Sequence, residues 1–161
     1  MKKKVKRIDL LNLWHVLESI KSKKVNIKFS YFVAKNRLNI KNEIEAINET
    51  QEASEAFKVY DKERSTLAEK YADKDDKGKP IIRENQYIIT AEKEKFEKDL
   101  EELKIRYKKV VEEREEQLSK LKEFLNEEVN FEGFQIELDN LPMDLEPILI
   151  ETLLVTNLIK E

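Results

Sequence analysis

Asp73, Asp75 and Glu84 have the spacing of a calcium loop. With Asp73 as the first position, oxygen ligands fall at the first, third and twelfth positions and Gly78 at the sixth, as in an EF-hand. Lys77 stands at the fifth position, where another oxygen ligand belongs, and Pro80 at the eighth, where an apolar residue is usual. A cation held there would have to tolerate an ammonium in its shell, and the residues that follow read as a hairpin instead of a helix. The segment therefore reads as a solvated turn. No metal or other cofactor is expected, with Asp73, Asp75 and Glu84 the metal-ligand candidates of this loop.

Other chemistries find less support. His15 is the only histidine, so a two-histidine metal site within one chain is excluded. A general base also needs a nucleophile or acid within reach. The neighbouring sequence offers none, so His15 beside Trp14 reads as a packing or hydrogen-bonding residue. The carboxylate pairs Glu112-Glu113, Glu115-Glu116 and Glu127-Glu128 could in principle run acid–base chemistry or hold magnesium. They are interleaved with Lys and Arg, and adjacent helical residues point about 100° apart, so an ion-paired helix surface accounts for them. The chain has no cysteine, which excludes disulfides and thiolate catalysis, and only two glycines, Gly78 and Gly133, which excludes a glycine-rich phosphate loop. An enzyme is the least supported class.

The basic run Lys21, Lys23, Lys24, Lys28, followed by Phe29, Tyr31, Phe32, Lys35 and Arg37, makes a stronger case. Cations interleaved with aromatic rings can contact phosphates and stack on bases. The same rings are what a hydrophobic core requires, with the cations as a rim. Residues 1–41 hold twelve Lys/Arg against Asp9 and Glu18, while residues 127–161 hold nine acids against Lys160. Such polarity serves either a polyanionic ligand or the mutual attraction of the two ends of one chain.

The elements that would position these groups follow from hydrophobic spacing. One stripe runs Ile40, Ile44, Ile47, Phe57, Tyr60, Leu67, Tyr71, and a second Phe96, Leu100, Leu103, Tyr107, Val111, Leu118, Leu121, Leu125. Both step by threes and fours, as one face of a helix does. Folded back on themselves, they pair Ile40 with Leu125, Ile44 with Leu121, Ile47 with Leu118, Phe57 with Tyr107, and Leu67 with Phe96. The chain is thus expected to be mainly α with minor β: a long antiparallel helical hairpin, or coiled coil, with a small β-hairpin at its tip and a compact head formed by both termini. The stalk spans 31–126 with its tip at 73–90, and the head comprises 1–30 and 127–161. Gln51, Ser54 and Arg114 interrupt the seam and are read as setting its register.

Finer expectations concern element boundaries. Residues 8–21 should form an amphipathic helix, preceded by a loosely docked basic arm. Val25–Phe29 alternates as a short strand or extended link, and Ser30 caps a helix over about 31–72. Ile81–Thr90 is the tip hairpin, and Thr90 caps a helix over about 91–126. The Leu103, Tyr107, Val111 steps form a stutter that relaxes supercoiling. Val129 to Leu138 reads as one or two strands around Gly133, and a last helix starts near Asp144 or Glu146-Pro147 and runs to about Ile159.

Charged residues make up 40% of the 161-residue chain, with three prolines, as suits long exposed helices. The opening basic and apolar residues are interrupted by Asp9, Asn12, His15 and Glu18 and lack a small-residue cleavage site, so a signal peptide is not expected. The apolar stretch 147–159 is too short to span a bilayer. A cytoplasmic location without membrane association is the expectation.

The order of features resembles small helical proteins encoded by phages and prophages. The likeness is carried by Ile8-Asp9-Leu10-Leu11, by Val25 through Asn36 leading into a charged helix, by Lys77-Gly78-Lys79-Pro80, and by Leu141-Pro142-Met143-Asp144-Leu145-Glu146-Pro147. It implies a viral origin, placing the protein in a host cytoplasm or a virion, and carries no mechanism. The plan is also similar in architecture to prefoldin subunits, whose hairpin interrupts two coiled-coil helices. Here the hairpin is too short for their oligomerising barrel, and architecture alone does not imply chaperone function.

The resulting expectation is a non-enzymatic interaction protein binding a host or virion protein through the head or the tip. Ile81, Ile82, Tyr87 and Ile88 are the tip contacts, since apolar residues on a protrusion favour partners. The alternatives are nucleic-acid or anion binding through 21–37, using Lys21, Lys23, Lys24, Lys28, Lys35 and Arg37, and a virion assembly or scaffolding role. The narrow seam, with Val59, Ile105 and Val110 off it or at its edge, also leaves room for a homodimer.

Overall fold

The computed structural model describes residues 2–21 and 25–160. In chain order they form β1 (Lys3–Lys6), α1 (Arg7–Ile20), α2 (Ile27–Gln51), α3 (Glu55–Tyr71), β2 (Ile82–Arg83), β3 (Gln86–Tyr87), α4 (Lys93–Arg106), α5 (Lys108–Asn126), β4 (Glu128–Phe131), β5 (Ile136–Glu137), α6 (Pro147–Val155) and β6 (Ile159–Lys160). The protein is mainly helical with small strand pairs, and no described helix is long and apolar enough to cross a membrane. The chain divides into two compact units, residues 1–51 with 119–161, and residues 52–118.

The first unit is built on α1 and α2. Leu10, Leu13, Leu17 and Ile20 of α1 and Phe29, Phe32, Val33, Ile40, Ile44 and Ile47 of α2 are buried, joined by Phe131, Ile136, Leu149, Leu153, Leu158 and Ile159. Of the short strand or extended link expected at 25–29, residues 25 and 26 precede the helix and residues 27–29 are instead the start of α2. Asn26, not Ser30, caps it: its side-chain oxygen accepts from the Phe29 N–H at 2.9 Å, and its carbonyl from Ser30 N–H at 3.0 Å. Burying Phe29, Phe32, Val33, Asn36 and Ile40 on one helical face outweighs the short alternation at Val25, Ile27 and Phe29.

The expected loose N-terminal arm is likewise a strand. β1 pairs antiparallel with β4, Val5 opposite Val129 and Lys6 opposite Glu128, and Val5 is buried. The chain passes straight into α1, where Asp9 accepts from the Lys6 N–H and Arg7 N–H donates to the Glu127 carbonyl. Arg7 anchors the junction. Its Nε donates to Glu43 and its Nη1 to Glu127, both at 2.5 Å, and the guanidinium lies 3.9 Å from the Phe124 ring centroid. Burial of Arg7 lowers its proton affinity, but these two carboxylates outweigh that and hold it charged.

At the C-terminal end, α6 stops at Val155, short of the expected Ile159. Asn157, at φ 58°, makes a left-handed cap, with Leu158 N–H donating to the Leu153 carbonyl and Asn157 N–H to Leu154. The chain then pairs as β6 parallel to β5, Ile136 beside Ile159. Gly133 permits this packing, because a Cβ there would fall 2.1 Å from the Leu158 Cδ2.

The second unit contains α3, the β2–β3 hairpin and α4. The helix expected over 31–72 is broken at 52–54, and Ser54 caps α3 by accepting from the Phe57 N–H at 3.2 Å. Tyr60 is buried between Phe57 and Tyr107, with ring centroids 5.5 and 5.6 Å away. Tyr107 thus pairs rings with Tyr60, one turn beyond the expected Phe57, and Phe96 with Tyr71, one turn beyond the expected Leu67, at 6.2 Å. Hydrogen bonds fix this register. The Tyr107 hydroxyl donates to Glu63 and the Tyr71 hydroxyl to Asp99, each at 2.7 Å. The helix expected over 91–126 starts at Lys93 and is interrupted at Tyr107, the stutter position, although Val111 N–H still donates to the Tyr107 carbonyl at 3.0 Å.

Candidate functional site

The calcium-loop residues are engaged by the chain itself. Both Asp73 side-chain oxygens accept, from the Thr90 hydroxyl at 2.5 Å and from the Thr90 and Ala91 N–H groups at 3.1–3.2 Å. These bonds, the Thr90 hydroxyl foremost, hold the Asp73 carboxyl below the usual carboxylate range. Thr90 is thereby the donor to a carboxylate, while the helix expected from it begins after Glu92. Asp75 accepts from the Lys77 and Lys79 N–H groups at 2.8 and 2.9 Å. Glu84 occupies the first central position of the β2–β3 turn, with φ 48° there and 61° at Asn85. The three groups build a turn, and no cluster of three or more possible metal ligands occurs among the described residues.

In the tip hairpin, Ile82 pairs with Tyr87 and is 57% exposed, while Ile81, Tyr87 and Ile88 are half-buried. Ile81 and Ile88 exchange backbone bonds with Asp73 and with each other, so they join the hairpin to the helix end. Gln51 donates to Asn48, Ser54 caps α3, and Arg114 donates to Gln117 while lying 5.5 Å from the Phe57 ring centroid. Gln51 and Ser54 are exposed, and Arg114 is partly exposed. His15 is exposed.

The basic segment divides in two. Lys21 and Arg37 both bind Glu18, and Arg37 also lies over Trp14 at 5.3 Å. Those cations, Lys21 first, pull the Glu18 carboxyl below its usual range against the opposing effect of its desolvation. Lys28 and Lys35 point to solvent, whereas Lys23 and Lys24 lie outside the described residues.

Along α2, from Ile27 to Leu38, runs a second apolar face. The core face of α2 carries Phe29, Phe32, Val33, Asn36 and Ile40. The opposite face carries Ile27, Tyr31 and Leu38, exposed by 85%, 57% and 70%, with exposed Ala34 between them. Steps of four, three and four place all four on one line along the helix. Beside this line, a groove of about 460 Å³ is lined by Ile27, Lys28 and Tyr31 on one side and Phe134, Ile136 and Glu137 on the other. Phe134 stands edge-on to Tyr31 at 5.3 Å.

Asn36 holds the groove open. Fully buried, it donates to the Phe32 and Phe134 carbonyls at 3.1 and 2.8 Å and accepts from Phe134 N–H at 2.8 Å. This fixes the backbone of Phe134, so that its ring faces Tyr31 while Ile136 turns inward. The spacing of Ile27, Tyr31, Ala34 and Leu38 was the signal available in the sequence. It is hidden once 25–29 is read as a strand. Comparison with protein-family models, with curated proteins and with solved structures gave no match.

Proposed function

We propose that this chain is a non-enzymatic, phage-type interaction protein that binds another protein through the groove beside α2. The observation that supports it most is a helix apolar on two opposite faces, only one of which is covered. Leaving Ile27, Tyr31 and Leu38 in water forgoes roughly 1.5–3 kcal/mol per side chain relative to full burial, which a partner would recover in part. The β2–β3 hairpin is the secondary contact, through Ile82. Within the second unit, the Tyr60–Tyr107 and Tyr71–Phe96 pairs support reading α3 and α4 as the arms of an antiparallel helical hairpin.

Affinity capture from a bacterial lysate tests this reading with three forms of the full chain. The native protein and an Ile82→Ser variant should retain the same bound protein, with the second weakened, and Tyr31→Ala with Leu38→Glu should lose it. All three substitutions lie on exposed side chains, so unchanged circular dichroism should accompany them. Capture unaffected by the groove variant would overturn the reading.

Nucleic-acid or anion binding is the second reading, favoured by the two solvent-facing cations on either side of Tyr31 along α2. It expects affinity that falls steeply with salt and is lost on Lys28→Glu with Lys35→Glu. A scaffolding role instead expects a defined homo-oligomer that co-purifies with particles.

A further inference from the structure

We infer that the outer face of α2 docks an acidic amphipathic helix of another protein. The inference rests on the protein-binding reading of the groove and adds the chemistry of the occupant. Ile27, Tyr31, Ala34 and Leu38 follow the d, a, d, a positions of a heptad, the pattern by which one helix receives another. The line covers about three turns, or roughly 17 Å at 1.5 Å per residue, and ends where Lys41 and Glu45 pair with each other. A helix is therefore the shape that matches it.

Charge selects among helices. The flanking e positions are Lys28 and Lys35, both exposed, whereas Arg37 at a flanking g position is held on Glu18, which offsets its charge. The acid on the far wall of the groove, Glu137, lies 3.4 Å from Lys160, which offsets its charge. A helix laid along the line meets cations along one edge, and Glu or Asp at its own flanking positions would complement them. A second copy of this chain would not. In an antiparallel pair, where e faces e, Lys28 of each copy meets Lys35 of the other, which sets like charges together, and in a parallel pair Lys35 meets Ser30 and gains no opposite charge.

The test uses the full chain and two designed three-heptad peptides with Leu at a and d, one carrying Glu and the other Lys at e and g. Fluorescence anisotropy should show the acidic peptide binding at least tenfold tighter than the basic one, by a margin that shrinks with salt. Lys28→Glu with Lys35→Glu should reverse the preference, and Leu38→Glu should abolish binding of both. Equal binding of the two peptides, or no reversal, would overturn the acidic-helix assignment. So would dimerisation of the chain that Leu38→Glu removes, which would make a second copy the occupant. An oligonucleotide bound through Lys28 and Lys35 but indifferent to Leu38→Glu would assign these cations to nucleic acid instead. If neither peptide binds while lysate capture still depends on Tyr31 and Leu38, this inference fails and the protein-binding groove stands. If capture ignores those residues, both fail.

Discussion

At the scale of single residues, the polar groups that matter most are those that fix backbone. Asn36 is fully buried and satisfies both the N–H and the carbonyl of Phe134. Asn36→Ala would take the partner from both groups and open a gap beside α2, and unfolding in urea should show a loss of about 2 kcal/mol. Asp73 has the same kind of role at the start of the tip. Its spacing in the sequence is that of a calcium ligand, but a carboxylate serves nearby N–H groups as readily as a cation, and the spacing does not distinguish the two. Because its folded pKa is lowered, its stabilisation is complete above the unfolded carboxylate's pKa and is lost as pH falls through the lowered value. Asp73→Ala should therefore lower the melting temperature at neutral pH. That gap should close in acid, and a gap independent of pH would contradict the role.

At the scale of elements, helix positions were legible and their ends less so. The stripes through Ile40, Ile44 and Ile47 and through Leu103 and Leu121 mark residues that are in fact buried, because burial on one face imposes the helical period. The break at 52–54 shows in the sequence only as polar residues in a seam, which fit a register layer as well as a cap. Ser54→Ala should cost about 1 kcal/mol in chemical denaturation if the cap is what Ser54 supplies. The start of α2 is obscured in the sequence because Val25, Ile27 and Phe29 alternate over five residues, while the helical pattern needs a window reaching Ile40. Register in the second unit slipped by a turn because aromatic pairs such as Tyr60–Tyr107 are fixed by hydroxyl bonds to Glu63 and Asp99, which hydrophobic spacing cannot register. Gly133 is a position where substitution should be felt sharply. Gly133→Ala drives a methyl into Leu158 and should destabilise the first unit by about 2 kcal/mol, read from the same denaturation curves.

At the scale of the whole molecule, the charge asymmetry has a partly internal explanation. Within the first unit, Arg7 binds Glu127, Lys4 lies 3.9 Å from Glu128, and Lys3 donates to the Val155 carbonyl at 3.2 Å. The basic beginning and acidic end of the chain therefore offset each other in part. Lys28 and Lys35 are left facing solvent beside the apolar line on α2. Fold class was visible in composition and periodicity, whereas the groove was not, because it depends on Asn36 bringing residues 134–137 against a helix almost a hundred positions earlier. Site-resolved photo-cross-linking most directly tests protein binding through this groove. A photoreactive residue replaces Tyr31, Ile82 or Met143 in turn in the full chain, exposed to a bacterial lysate. Position 31 should give a discrete adduct with another protein, stronger than that at position 82 and absent at position 143. Adducts at position 143 as strong as those at 31, or adducts at 31 only with a second copy of the chain, would contradict it.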